Sequence, residues 1–212
     1  MGLMPPKFIY FDMGNVLLHF SHERQAAQVG QLAGLQPANV FELLYRGYRD
    51  QTGLHWAAER GDLPPAEFYA RFCDATSTRP ERAAFERAGN EIFWPNVSIA
   101  PLVAQLRGAG YRLGVLSNTS QAHWEFCRRQ YRILEVFQVY ALSFAIGAMK
   151  PDPKIYAESA RLAGVPPEEI FFTDDRADNV AGAREAGWDA VIFESARKLS
   201  GELRRRGVLT NY

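Results

Sequence analysis

The chain has 212 residues, of which 47% are apolar and 23% charged, with 24 basic and 24 acidic side chains. That length buries one sizeable core, or one core carrying a smaller inserted domain, and the composition is that of an ordinary soluble globular protein. The balanced charge gives no field to recruit nucleic acid or an anionic membrane surface, and no apolar run is long enough to span a bilayer.

Two cysteines, Cys73 and Cys127, stand far apart without paired spacing. This fits a reducing, cytoplasmic compartment, with each thiol acting as a small buried hydrophobe. The N-terminal stretch Met1-Gly2-Leu3-Met4-Pro5-Pro6-Lys7 has no signal-peptide apolar block, and Pro6 stands where N-myristoylation wants Ser or Thr.

The first strand is expected at 7–11. Phe8-Ile9-Tyr10-Phe11 runs straight into Asp12 and the turn Met13-Gly14-Asn15. A wholly apolar run ending on an acid is how a buried parallel strand delivers a carboxylate to the carboxyl edge of a sheet, where open α/β folds bind ligands. A carboxylate there can ligate a metal or attack an electrophile.

Residues 21–94 show no convincing strand. Phe41, Leu44, Tyr45 and Tyr48, then Phe68 and Phe72, recur at helical spacing, and Gly61-Asp62-Leu63-Pro64-Pro65 marks a turn that starts a new helix. The expectation is a helical domain at 21–95 inserted into a core made of 1–20 and 96–212. Trp94-Pro95 would be the hinge. Such an insert hangs over the carboxyl edge of the sheet and can cover the site. Tyr48, His55 and Trp56 are candidates to meet a sugar face there, although aromatics at this spacing more often pack a core.

Further strands are expected at 112–116, 139–144, 170–173 and 190–193, with helices at 99–109, 121–130, 153–163, 179–186 and 196–206. Gly110, Gly164, Gly187 and Gly207 stand where C-cap glycines belong. Strand and helix in alternation mean right-handed βαβ crossovers, hence an α/β fold with a Rossmann-like parallel sheet. The run Arg204-Arg205-Arg206 reads as the solvated last turn of a helix.

Polar segments end several of these strands. Ser117-Asn118-Thr119 offers hydroxyl, amide and backbone N–H donors at a helix start, an anion site in form, although Ser117 to Ser120 also suits a plain N-cap. Lys150, before Pro151, sits in a non-helical approach to the same edge and suits phosphate neutralisation. Asp174 and Asp175 leave a buried strand side by side, with Asp178 close behind. Adjacent buried carboxylates repel unless a cation sits between them, and oxygen ligands without nearby His or Cys favour Mg²⁺. A nucleophile, a cation site and donors for equatorial oxygens are the parts of phosphoryl transfer.

In order and spacing these segments resemble the four motifs of the haloacid dehalogenase (HAD) superfamily across essentially the whole chain. Within it the closer likeness is to small phosphatases such as the bacterial α-D-glucose-1-phosphate phosphatases. The resemblance implies that Asp12 attacks phosphorus and forms an aspartyl-phosphate. It implies a Mg²⁺ held by Asp12, the Gly14 backbone carbonyl and Asp175, with Asp174 close by. Ser117, the Asn118 backbone and Lys150 would hold the transferring phosphoryl group. A small phosphorylated metabolite is the implied partner, and the chain is expected to be a monomer or homodimer.

Most HAD phosphatases carry a second aspartate where this chain has Gly14, and it protonates the leaving alcohol. General acid–base catalysis contributes about 10²–10⁴-fold, so unactivated alkyl phosphates are expected to react slowly and a hexose 1-phosphate faster. His123, and after it His19, are candidate replacements for the acid. A 2-haloacid dehalogenase shares the aspartate nucleophile and also lacks the second acid, but it dispenses with charged residues at the place of Asp174-Asp175. A catalytically weak ligand sensor or protein-binding member is the alternative outside catalysis.

Overall fold

The computed structural model of the chain describes residues 5–46 and 52–210. Tyr48 lies outside the described residues. In chain order the elements are β1 (Phe8–Phe11), β2 (Leu18–Phe20), α1 (His22–Ala33), α2 (Pro37–Tyr45), α3 (Leu54–Arg60), α4 (Pro65–Thr76), α5 (Arg82–Asn90) and β3 (Phe93–Pro95). There follow α6 (Ala100–Gly108), β4 (Arg112–Ser117), α7 (Gln121–Gln130), β5 (Val139–Leu142), α8 (Ser143–Ile146), α9 (Pro153–Ala163), β6 (Ile170–Asp174), α10 (Ala177–Glu185), β7 (Asp189–Ile192) and α11 (Ala196–Arg205).

The main sheet is parallel, in the order β5-β4-β1-β6-β7. It is the α/β sheet expected from the alternating pattern. Every side chain of β1 is buried, because helices cover both faces of the sheet. The period-two alternation splits that strand between two cores. Ile9 and Phe11 face Leu102 and Leu106 of α6 and Leu199 and Leu203 of α11. Phe8 and Tyr10 face Ile155 and Tyr156 of α9 and Val180 and Ala183 of α10.

Gly114 in β4 shows how closely this second face is packed. A Cβ there would lie 2.5 Å from Tyr10 Cε1 and 2.7 Å from Phe8 Cε1. The rings lie across the missing side chain, so Gly114→Ala forces both to move. Overpacking of this kind costs about 1–3 kcal/mol. A thermal melt of Gly114→Ala is expected to show a clearly lower midpoint than wild type, and an unchanged midpoint would contradict this packing.

Helices α1 to α5 all fall between β2 and β3, and they share their own cluster of Val29, Val40, Leu44, Tyr45, Phe72 and Phe85. Met149, from the loop before α9, packs into the same cluster. Phe41 and Phe68 pack against it partly buried, so these aromatics are core-formers, as their helical spacing suggests. Pro65 opens α4, where a proline lacks only a donor that the helix start would leave unused.

Several expectations need correcting. Residues 21–94 were expected to contain no strand. Yet Phe20 pairs with Phe93, His19 with Trp94 and Leu18 with Pro95 in an antiparallel ribbon, which joins the two ends of the helical insert. The strand expected at 139–144 stops at Leu142, because Ser143 turns the chain into the short helix α8 and Gly147 ends it at φ 68°. Arg206 is not solvated: it is 5% exposed, and its guanidinium lies 4.9 Å from the centre of the Phe171 ring. It forks onto Asp189, with 2.8 Å from Nη2 to Oδ1, and also bonds Glu202, so its charge is matched inside the fold. Cys73 and Cys127 are buried free thiols. Among the described residues no helix is long and apolar enough to cross a membrane.

Candidate active site

The chain builds outward from β1 to β4 and β5, then returns to the other side of β1 for β6 and β7. The crevice at such a reversal, outside the carboxyl ends of the strands, is where open α/β sheets take ligands. Asp12, Ser117 and Asp174 stand at the carboxyl ends of β1, β4 and β6, three adjacent strands. Asp12 is held firmly, because its N–H donates to the Thr173 carbonyl at 2.9 Å and extends the strand ladder by one residue.

Lys150 joins the two acidic ends. It is 2% exposed, and its Nζ donates to Asp12 Oδ1 at 2.8 Å, to Asp174 Oδ2 at 2.5 Å and to the Leu116 carbonyl at 3.0 Å. All three protons of the ammonium are thereby used. The Asn118 side chain brings the lysine there. Its Oδ1 accepts from Lys150 N at 2.7 Å and its Nδ2 donates to Lys150 O at 3.0 Å, so the turn after β4 grips the lysine backbone at both ends.

The turn after β4 divides its work, one serine capping the helix and the other facing the site. Ser120 caps α7 by accepting from His123 N at 3.3 Å, which leaves the Ser117 hydroxyl with a 3.3 Å contact to the Asn118 carbonyl. Asp174 Oδ1 accepts from Arg176 N at 2.9 Å, and Asn179 Nδ2 reaches both Asp174 oxygens at 3.0 Å. Asp174 is therefore already saturated with donors. Asp175 Oδ2 accepts from Asn15 Nδ2 at 3.0 Å, and Asn15 reaches it from a left-handed turn at φ 54°, a conformation asparagine tolerates.

A cavity of about 620 Å³ opens over these groups. Asp12, Gly14, Ser117, Asn118, Lys150 and Asp175 all line it, while Asp174 lies behind them, fully buried. His123 lines it as well, with Nε2 3.2 Å from the Gly89 carbonyl. Burial and the neighbouring His55 push its pKa down to about 4, against the opposing pull of Glu59 and Gly89, so the ring is neutral at neutral pH. His19 is not among the lining residues; it sits on the β2–β3 ribbon, 5.9 Å from the Trp94 ring. Trp56 and His55 do reach the cavity wall.

Oxygen atoms of Asp12, Asp174 and Asp175 lie within 4.8 Å of one another. One ammonium faces three acids, so the cluster is short of positive charge. Burial pushes the Asp12 carboxyl up to about 8; Lys150 pulls it down and the charges of Asp174 and Asp175 push it up again. Burial also raises Asp175, although its bond from Asn15 opposes this. Burial works against the charged form of Lys150, but Asp12 and Asp174 outweigh it and hold the ammonium charged. A buried, all-oxygen acidic set short of positive charge fits a hard divalent cation of the Mg²⁺ kind.

Sequence reasoning named the strand-end residues, offered His55 only as a sugar contact, and gave no role to Asn15, Ser143 or Glu59. His55 and Glu59 are one turn apart on α3, with Nε2 3.2 Å from Oε1. That i,i+4 spacing is visible in the sequence, but it also describes many solvated surface pairs.

A buried carboxylate at the end of the central strand, a lysine between acids and donors at a helix start thus form one polar site at the carboxyl edge of the sheet. The chain belongs to the haloacid dehalogenase-like hydrolases, whose family model matches residues 6–187. It is 40% identical over 99 residues to a glyceraldehyde 3-phosphate phosphatase of Methanopyrus kandleri, a match covering 46% of this chain and 42% of that protein. It is 27% identical over 205 residues to the D-ribitol-5-phosphate phosphatase of Bacteroides thetaiotaomicron, covering 93% and 96% of the two chains. A HAD family enzyme of Bacteroides thetaiotaomicron, crystallised with magnesium and inorganic phosphate, superposes with a TM-score of 0.78 at 25% identity, over 90% of this chain and 95% of that one.

Proposed function

We propose that the chain is a Mg²⁺-dependent phosphatase of a small, polyhydroxylated phosphomonoester, such as a hexose 1-phosphate, acting through an aspartyl-phosphate. The observation that carries this reading is the Asp12–Lys150–Asp174 chain of contacts beside Asp175. Relatives named for sugar and polyol phosphates support the substrate class.

Asp12 attacks phosphorus with the oxygen that Lys150 leaves free. That oxygen, Oδ2, lies on the Gly14 side, 3.8 Å from where a Cβ of residue 14 would stand. The Ser117 hydroxyl and the Asn118 backbone N–H hold the equatorial oxygens, and the Lys150 ammonium beside them balances the charge that shifts among them. Asp12, the Gly14 carbonyl and Asp175 would hold Mg²⁺, with Asp174 keeping Lys150 and the following turn in place. When bound, the cation neutralises the repulsion between substrate phosphate and the acids. Water then cleaves the Asp12–phosphate bond and restores the carboxylate. Helices α1 to α5 act as a cap over the site, entered and left through the β2–β3 ribbon.

Phosphate release measured with Mg²⁺ and with EDTA, over sugar, nucleotide and acyl phosphates, tests the reading. The expected result is Mg²⁺-dependent turnover with glucose 1-phosphate hydrolysed faster than glucose 6-phosphate. Faster hydrolysis of the 6-phosphate would remove the anomeric preference. Full activity in EDTA with halide release from a 2-haloacid would replace the phosphatase by a dehalogenase, the reading that Gly14 keeps open.

A further inference from the structure

A second acid cannot simply be restored at residue 14, because Phe20 fills its place. A Cβ on Gly14 would lie 2.8 Å from Phe20 Cε1, and Phe20 itself lines the cavity. The proton for a departing alcohol must then come from another part of the wall, or from water.

Outside the Asp12 cluster, the ionisable side chains lining the cavity are His22, His55, Glu59, His123 and the paired Arg176 and Asp178. Burial first, then His55 and His123, push His22 down to about 2. His22 and His123 are both neutral at neutral pH and have no proton to give as acids. Burial disfavours the charge of Asp178, but its bonds from Arg176 outweigh this and keep it ionised.

His55 differs from all of these in its partner. It is 3% exposed, and its Nε2 faces the carboxylate of Glu59, itself 8% exposed, at 3.2 Å. His22 of α1, Tyr45 of α2, His123 of α7 and Trp56 of α3 surround the ring, so Glu59 is the carboxylate the imidazole meets. A carboxylate on one ring nitrogen sets the orientation of the other and balances the charge of the protonated ring.

The pair is also tied to the phosphate-binding turn. Ser143 Oγ donates to the Glu59 carbonyl at 2.6 Å and accepts from Thr119 N at 2.9 Å, so one buried hydroxyl joins α3 to the turn carrying Ser117 and Asn118. Gly61, at the end of α3, lies so close to α8 that a Cβ on it would be 2.2 Å from the Phe144 carbonyl oxygen. Two fixed contacts thus seat the pair relative to the reacting groups.

We infer that His55, oriented by Glu59, is the acid–base residue that replaces the aspartate absent at Gly14. The inference rests on Asp12 acting as the nucleophile. As the bond between Asp12 and phosphorus forms, the bond from phosphorus to the leaving oxygen breaks, and that oxygen takes the proton of the His55 imidazolium. Neutral His55 then takes a proton from the water that attacks the aspartyl-phosphate. The Asp12–phosphate bond breaks, inorganic phosphate leaves and the imidazolium is regenerated. Glu59 is a positioning residue.

The test compares p-nitrophenyl phosphate, whose acidic phenol departs without a proton, with glucose 6-phosphate, whose primary alkoxide does not. For His55→Asn, kcat/KM on glucose 6-phosphate, which reports departure of the leaving group and not the later hydrolysis of the aspartyl-phosphate, should fall about 10²-fold or more, as for loss of a general acid, while kcat/KM on p-nitrophenyl phosphate changes little. Glu59→Gln should show the same selectivity at smaller amplitude, and it carries the test if His55→Asn fails to fold. Equal losses of kcat/KM on both substrates, or losses confined to KM, would overturn the assignment. Asp12→Asn separates the two levels: if it keeps turnover on both substrates, the aspartyl-phosphate reading falls and the role of His55 falls with it.

Discussion

Asp12→Asn should lower Mg²⁺-dependent phosphate release by roughly 10⁴–10⁶-fold, as loss of a nucleophile does, and leave the fold intact. The carboxamide keeps the size of the side chain, and its oxygen can still accept from Lys150, which donates to Asp12 Oδ1 at 2.8 Å in the wild type. What it lacks is an oxygen nucleophilic enough to take a phosphoryl group. Stability separates chemistry from folding. Burial raises Asp12 from 3.8 to about 8, so without metal the folded chain holds a proton there that the unfolded chain releases. A raised carboxyl contributes stability that is complete below its unfolded value and is lost as pH rises through the folded one, because the unfolded state then binds fewer protons. In EDTA the wild type should lose stability between pH 3.8 and about 8, and Asp12→Asn should show a flatter dependence over that window. A melt at each pH reads this directly. Asp12→Asn with wild-type turnover would remove Asp12 from the reaction altogether.

The parts of this site that a sequence displays are those where a strand ends. Phe8 to Phe11 are apolar on both faces because helices cover both, so the first charged residue after them marks the sheet edge. The same logic places Ser117 after β4 and Asp174 at the end of β6, and parallel register brings the three edges together. Other features depend on tertiary contacts that leave little local pattern. Each strand of the β2–β3 ribbon is only three residues long, too short for alternation to show. Arg206 follows two exposed arginines, and only the approach of Asp189 and Phe171 distinguishes it from them. Ser143 looks like the continuation of a strand until its hydroxyl is seen bridging Glu59 and Thr119. The sequence offers His55 as a sugar contact and leaves Glu59 without a role, because the rings that enclose the pair come from α1, α2 and α7.

Above about pH 8, where Asp12 is ionised without metal, Lys150→Met is expected to destabilise the metal-free protein by about 3–5 kcal/mol, the usual cost of removing one partner from a buried ion pair. Methionine keeps most of the apolar volume, so the loss reports on charge more than on packing. Lys150 Nζ lies 2.8 Å from Asp12 Oδ1 and 2.5 Å from Asp174 Oδ2, and without it two buried carboxylates face each other unmatched. Asp174 keeps its bonds from Asn179 and Arg176, so the deficit falls mainly on Asp12. A divalent cation at Asp12 and Asp175 supplies positive charge to the same cluster, and Mg²⁺ should therefore restore part of the lost stability. It should not restore turnover, since the ammonium that neutralises a phosphoryl oxygen is gone. Thermal melts of wild type and Lys150→Met, with Mg²⁺ and with EDTA, measure the coupling between the two cations. A Mg²⁺ effect no larger in the variant than in the wild type would mean that lysine and metal do not share the same carboxylates.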